Sequence, residues 1–338
     1  MAEDDIDQLV AEILAATGSR NRDVVRDILT TAAGLGSDDP GRLNLKIASA
    51  ALQEMRAAFK VFGPYRTVPK VTVFGSARTL PTDPLYAQAR DVAAALAAKG
   101  WMVITGAGPG IMAAGLEGAG REKSFGINIR LPFEQGANEF IADDPKLIEM
   151  RYFFTRKLML MKESDGFVVL PGGFGTLDEG FELLTLLQTG KADPAPMVLL
   201  EVPDGTYWSS WQRFLLDEVA PRGLIDPDDH VLYRITDDVE DAAGEILGFY
   251  RNYHSRRFVG NRMVVRMHSA PSDADLAALN TEFADICTRG EIERTDPLKA
   301  EVTDNDHLDL ARIVFRFDQI HNARLRMLID HLNRMPTE

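Results

Sequence analysis

Hydrophobic positions in the first sixty residues recur at helical spacing. Ile6, Leu9, Val10, Ile13 and Leu14 form one stripe, and Val24, Val25, Ile28 and Leu29 form another. The stretch Gly34-Leu35-Gly36-Ser37-Asp38-Asp39-Pro40 interrupts the spacing, and a third helix is expected over residues 43–61. Residues 1–65 therefore read as a helical extension, a cap or a dimerisation arm. From Val71 the rhythm changes to short apolar runs alternating with longer amphipathic ones. The runs predict strands over 71–74, 102–105, 124–129, 166–170 and 197–201, and helices over 84–99, 111–120, 145–163, 176–189 and 207–219. Strand–helix alternation at this spacing implies an α/β fold, a Rossmann-like, doubly wound parallel sheet covered on both faces, over residues 66–255. Beyond Arg256 the pattern shifts again, to strands over 263–267, near Ile292 and over 311–317, with helices over 272–288 and 322–332. This is the pattern of a small α+β domain over residues 256–338.

Ligands of a doubly wound sheet bind beyond the carboxyl ends of its strands. Three glycine turns fall at that edge: Gly75-Ser76-Ala77-Arg78, Gly106-Ala107-Gly108-Pro109-Gly110-Ile111-Met112, and Pro171-Gly172-Gly173-Phe174-Gly175-Thr176. The middle turn lacks the glycine spacing of the dinucleotide fingerprint, and no Gly-Lys-Ser or Gly-Lys-Thr follows any of them. A strand, a glycine turn and a helix start present free N–H groups to an anion, so together they point to a phosphate. The hydroxyls of Ser76 and Thr176 are further donors.

Glu179 has two readings. Thr176-Leu177-Asp178-Glu179 fits the capping-box spacing, in which the glutamate turns back to the N-cap N–H. The same carboxylate also stands beside the expected anion pocket, where it can hold ribose hydroxyls, orient water or stabilise an oxocarbenium-like transition state. Asp178 fits a favourable charge near the helix dipole. Arg156 and Lys157 are adjacent cations on a mostly apolar helix. They read either as a solvated stripe or as groups that fork onto phosphate or a leaving base. Arg78 and Arg130 are second-rank cationic candidates.

Composition narrows the chemistry. The 338 residues are 45% hydrophobic and 26% charged, with a net charge of −14, which argues against non-specific nucleic-acid binding. The start has no basic region followed by an apolar core, and no apolar run is long enough to span a bilayer, so a cytoplasmic location is expected. Cys287 is the only cysteine, which excludes an intrachain disulfide and a cysteine zinc cluster. All six histidines lie at or beyond residue 230, so the glycine-rich half holds neither a Ser-His-Asp relay nor an HExxH zinc site. Its chemistry must rest on carboxylates, Arg, Lys, hydroxyls and backbone dipoles, with no metal or redox cofactor.

Several of these stretches together resemble the LONELY GUY (LOG) family, whose members are often labelled lysine decarboxylases. Pro171 to Glu179 is similar to its PGGxGTxxE signature, Arg156-Lys157 to the paired Arg-Lys before it, and Gly106 to Met112 to its GGGPGIM turn. Gly126-Ile127-Asn128-Ile129 through Glu134, Gln135 and Asn138 resembles its longer-chain subgroup. The resemblance covers roughly residues 66–250. It implies hydrolysis of the N-glycosidic bond of a nucleoside 5′-monophosphate, cytokinin riboside 5′-monophosphate or AMP-like, to free base and ribose 5-phosphate. On this resemblance Arg156 and Glu179 form the catalytic pair. Gly75, Ser76, Gly106, Gly108, Gly110, Met112, Asn128, Lys157, Pro171, Gly172, Gly173, Gly175 and Thr176 then line the substrate site. It also implies a homodimer or larger homo-oligomer, with no membrane partner. Ala107 departs from a common glycine, and Ala113 stands where an acidic residue often follows the methionine. The terminal extensions have no counterpart in the short plant-type members. A pyridoxal phosphate decarboxylase would need a Schiff-base lysine, and Lys157, the one candidate, has no recognisable cofactor motif around it. The rival from another class is a non-catalytic nucleotide or cofactor carrier on the same sheet.

Overall fold

The computed structural model describes residues 3–130 and 136–336. It divides into two compact units, Met1–Ala57 and Ala58–Glu338. The first is helical: α1 (Glu3–Thr17), α2 (Arg22–Asp38) and most of α3 (Arg42–Phe62). The expected break at Gly34 does not occur. Helix α2 runs through Gly34 and Gly36 and stops only where Asp39 turns left-handed before Pro40. A glycine inside a formed helix costs only about 1 kcal/mol, whereas a proline ends it. Val10 and Leu14 are buried, while Leu9, Ile13, Val24 and Ile28 leave much of their apolar surface exposed.

The second unit contains β1 (Lys70–Phe74), α4 (Pro84–Ala98), β2 (Met102–Thr105), α5 (Ile111–Ala119), β3 (Ser124–Ile129), β4 (Leu147–Met150), α6 (Phe153–Lys162), β5 (Gly166–Val169), α7 (Phe174–Gln188), β6 (Met197–Leu200), α8 (Tyr207–Phe214), β7 (Arg234–Thr236) and α9 (Val239–Gly248). The seven strands form one sheet in the order β4-β3-β2-β1-β5-β6-β7, with every neighbour parallel. Strands β1, β2, β5 and β6 are buried throughout, as a sheet covered on both faces requires. Val71, Val73, Val103, Val168 and Val198 pack with Val92 and Leu96 of α4, Ile111 of α5 and Ile246 of α9. The chain winds outward from β1 to β4, then returns to lay β5 on the other side of β1. The switch in strand order therefore falls between β1 and β5.

One expected helix is wrong in part. Residues 147–150 are a strand, and only Phe153–Lys162 is helical. Ile148 and Met150 are buried while Glu149 is exposed, the period of two of an edge strand. The free edge of β3 completes its ladder from Gly126↔Leu147 to Ile129↔Met150. A short apolar run fits both periodicities, and an available strand edge decides between them. The pair β7 and α9 was also not expected. Helix α9 is announced by its N-cap, Asp238, which accepts from the Asp241 N–H at 2.8 Å.

A four-stranded antiparallel sheet follows, built from β8 (Tyr253–Val259), β9 (Arg262–Met267), β10 (Glu293–Arg294) and β11 (Ala311–Phe315) in the order β10-β11-β9-β8. Helices α10 (Asp273–Glu282), α11 (Lys299–Asp304) and α12 (Asn322–Arg334) accompany it. Met263, Val265, Met267, Ile313 and Phe315 pack with Phe283 and with Leu325, Leu328, Ile329 and Leu332 of α12. The alternate residues Arg266 and Arg312 converge instead on Glu301 of α11, which is fully buried. Among the described residues no helix is long and apolar enough to cross a membrane.

Candidate active site

The three glycine turns meet at the carboxyl edge of the sheet. The first is locked to the second, since the Ser76 carbonyl accepts the Ile111 N–H at 3.0 Å. A Cβ on Gly75 would strike the Ile111 side chain, and one on Gly110 would strike the Ser76 carbonyl. Gly110 also has φ +68°, as N-cap of α5, so glycine is required there twice over. The Ser76 hydroxyl accepts the Arg78 N–H at 3.1 Å, and the Arg78 side chain lies exposed at the rim.

Alanine at position 107 takes the conformation that glycine usually takes. It sits at φ 60°, a strained position for a residue with a Cβ. The Ala107 N–H donates to Thr105 Oγ1 at 3.1 Å, and its carbonyl accepts from the Asn138 N–H at 2.9 Å and from Asn138 Nδ2 at 3.0 Å. Asn138 Nδ2 also donates to the Gly108 carbonyl at 2.8 Å. Asn138 thus clamps the outside of the turn. Ala113, the other departure, is buried in α5.

Arg156 supports the same turn from below. It is 8% exposed; its Nε donates to the Ile127 carbonyl at 2.9 Å and its Nη2 to the Gly106 carbonyl at 3.4 Å. Met112 Sδ lies 4.0 Å from Nη2. Lys157, one residue on, goes elsewhere. Its Nζ meets Asp178 Oδ2 at 3.0 Å and Glu182 Oε2 at 2.5 Å, tying α6 to α7. Burial alone would lower the Lys157 pKa, but the carboxylates of Glu182 and Asp178 outweigh it and raise the value. Asn128 is half-buried on β3, across from Glu149 of β4. Arg130 turns away to that same Glu149, with Nε 2.8 Å from Oε2. Glu134 and Gln135 lie outside the described residues.

The third turn opens α7 two residues earlier than the expected start at Thr176. Gly173 is the N-cap and Phe174 the first helical residue. Leu177 is the first to donate to Gly173, at 3.1 Å, so the N–H groups of Phe174, Gly175 and Thr176 precede the intrahelical ladder and point out of the helix end. Pro171 and Thr176 are buried, and a Cβ on Gly172 would strike Thr176. A Cβ on Gly173 or Gly175 would meet nothing, so this backbone is open to close approach. The Tyr207 hydroxyl donates to the Gly172 carbonyl at 2.7 Å and steadies the turn. Tyr207 escaped the sequence reading because an aromatic at the start of a distant helix carries no such signal.

This start excludes the capping box. Glu179 is the sixth residue of α7, beyond reach of the N-cap N–H. It is half-buried, and burial pushes its carboxyl up to about 7; the Arg156 charge pulls it down and Asp178 pushes it up. Glu179 and Arg156, from different helices, therefore share one electrostatic field beside the glycine turns. A cavity of about 320 Å³ also borders α7, but it lies against Phe181, Leu184, Thr185 and Gln188, on the side of the helix away from Glu179. Among the described residues no group of three His, Cys, Asp or Glu side chains converges as metal ligands.

Comparison with known proteins places this edge in context. A family model described as "Possible lysine decarboxylase" matches residues 104–246, a span that runs from the end of β2 into α9. A cytokinin riboside 5′-monophosphate phosphoribohydrolase of Mycobacterium tuberculosis is 32% identical over 160 residues, covering 46% of this chain and 81% of the relative. Cytokinin riboside 5′-monophosphate phosphoribohydrolase LOG3 of Arabidopsis thaliana is 44% identical over 72 residues, 21% of this chain and 32% of its own length. This chain thus spans about a third of that plant relative. Among solved structures, a molybdenum cofactor carrier protein from Chlamydomonas reinhardtii superposes over 52% of this chain and 94% of its own, at 21% identity and a TM-score of 0.36. The bacterial match, at 32% identity, extends over 81% of its relative, and on that ground the chain is a member of the LONELY GUY family.

Proposed function

We propose that this protein hydrolyses the N-glycosidic bond of a nucleoside 5′-monophosphate, with a cytokinin riboside 5′-monophosphate or AMP as substrate. The observation that carries the reading is Glu179, a carboxyl pushed up to about 7 by burial and set beside Arg156 at the phosphate-binding edge. The substrate phosphate takes the N–H groups of Phe174, Gly175 and Thr176 at the positive end of α7. Binding energy at the phosphate then orients C1′. Water attacks C1′ while the bond to the base nitrogen breaks. Glu179 acts in its ionised form: the carboxylate faces the positive ribosyl group and takes the proton of the attacking water, becoming neutral, and it returns that proton to solvent before the next turnover; a pKa near the working pH suits that exchange. The electron pair leaves with the base, whose nitrogen is protonated from solvent. The part of Arg156 is to hold the Gly106 turn and to supply fixed positive charge. Lys157 orients α6 on α7. The exposed Phe153, Phe154 and Leu158 of α6, with Phe174 and Phe181 of α7, support a homo-oligomer.

The test is release of base from AMP and from N6-isopentenyl-AMP, followed by chromatography. Turnover of either is expected, and the Arg156→Ala protein should be strongly impaired. Tight nucleotide binding without turnover would sink the hydrolytic reading in favour of a carrier. Gly106→Ala examines the Arg156 support separately. Its Cβ would collide with Arg156 Nη2 and press on Met112 Sδ. Displacing the guanidinium is expected to lower kcat on the order of 100-fold. Wild-type turnover by Gly106→Ala would show that the position of Arg156 is immaterial.

A further inference from the structure

The C-terminal sheet carries a basic cleft of its own, far along the chain from the glycine turns. Arg262 opens β9 and Arg316 follows β11; the register Phe315↔Met263 sets the two arginines across from each other. The Thr288 N–H and hydroxyl both donate to the Arg316 carbonyl, at 2.8 and 3.1 Å, which fixes Arg289 alongside. The three arginines line one cleft of about 250 Å³, with Glu291 and Glu293 on its wall.

Their lack of partners is the telling feature. Among the described residues none of these three guanidiniums makes an ion pair or a side-chain hydrogen bond, to Glu291 and Glu293 or to any other group. This is so in a chain with 51 acidic and 37 basic residues. Nearby arginines behave differently: Arg257 pairs with Asp304 and Asp306, Arg294 with Asp273, and Arg266 and Arg312 with Glu301. Like charges facing each other across strands destabilise a sheet. An anion lying between them reverses that sign. Guanidinium forks match phosphate oxygens, and the two glutamates offer acceptors for hydroxyl groups.

We propose that this cleft is a binding site for a small phosphorylated sugar, with the phosphate on Arg262, Arg289 and Arg316 and the hydroxyls on Glu291 and Glu293. The inference does not rest on the proposed hydrolysis, because the cleft shares no residue with that site. It is tested by calorimetric titration of the full-length protein with ribose 5-phosphate and, separately, with inorganic phosphate at low ionic strength. Wild type, Arg316→Glu, Arg289→Ser and Glu293→Gln are compared after thermal melts confirm folding. Arg289 is exposed and unpaired, so Arg289→Ser keeps the test open if Arg316→Glu fails to fold. Arg316→Glu and Arg289→Ser are expected to weaken one class of ribose 5-phosphate site at least tenfold. Glu293→Gln should weaken ribose 5-phosphate but not inorganic phosphate. Ribose 5-phosphate binding that neither arginine variant alters, or no binding by wild type, overturns the proposal. Inorganic phosphate binding as tightly as ribose 5-phosphate overturns its sugar part. Nucleotide hydrolysis without added anion should be unchanged in Arg316→Glu, so failure of the hydrolytic reading leaves this test intact.

Discussion

Glu179→Gln is expected to lower kcat for base release by roughly 10²- to 10⁴-fold and, at the same time, to stabilise the fold above neutral pH. Both effects have one cause. The carboxyl is moved by burial from its ordinary 4.5 up to about 7. A folded chain that holds a proton more tightly than the unfolded chain loses stability as pH rises between those two values. Below 4.5 the group is neutral in both states and nothing is lost; above 7 the full penalty is present. A shift of that size corresponds to at most about 3 kcal/mol, reduced by water reaching the half-buried carboxylate. Glutamine keeps the shape and never ionises, so its stability should be flat through the same window. Melting temperatures of the two proteins are expected to agree near pH 4.5 and to separate by pH 8, with the variant higher. Activity of the wild type should rise to a plateau as the carboxyl ionises around 7. A variant that melts at or below wild type at pH 8 would mean that Glu179 is not held as an isolated buried carboxyl.

Glu301→Ala is expected to destabilise the C-terminal sheet by roughly 3–5 kcal/mol without a direct effect on the glycine turns. Glu301 Oε1 receives Arg266 Nε at 2.9 Å and Nη2 at 2.7 Å, and lies 3.0 Å from Arg312 Nη1. Its other oxygen accepts the Leu298 N–H at 3.0 Å. Burial works against the charged form, but this N–H and the two arginines outweigh it and hold the carboxyl below its usual value. Removal strands Arg312 most severely. Arg266 keeps Asp306 at 2.6 Å, whereas Arg312, 2% exposed, is left with only the carbonyls of His307 and Leu310. Urea unfolding at pH 7 measures the loss. A group with a depressed pKa stabilises above its unfolded value and ceases to do so as pH falls through the folded one. The gap between wild type and variant should therefore narrow in acid. A loss under 1 kcal/mol would show that the lobe relaxes to let water reach Arg312.

How much of this could be read from the chain depends on how local the cause is. The parallel sheet was legible because its strands are short, mostly apolar runs alternating with helical ones, and the turns because in three places strand, glycines and helix start are contiguous. Leu147–Met150 was not, since its four residues fit both periods until the edge of β3 was there to pair with. The adjacent Arg156 and Lys157 read as one cationic feature, yet the carbonyls that claim Arg156 come from β3 and the second turn, and the carboxylates that claim Lys157 come from α7.

Glu179 divides most clearly. Its spacing from Thr176 is that of a cap, and nothing in the sequence says that α7 begins at Phe174. The amino-acid sequence by itself determined the strand–helix alternation, the glycine turns, and the absence of histidine and cysteine from that half, because these follow from local periodicity and composition. The tertiary structure alone decided which charges are buried, which are paired and which stand open: the raised Glu179, the enclosed Glu301 and the unpaired arginines of the C-terminal cleft. Charge states answer to burial and to partners delivered by strand order from distant parts of the chain, and no local pattern encodes those.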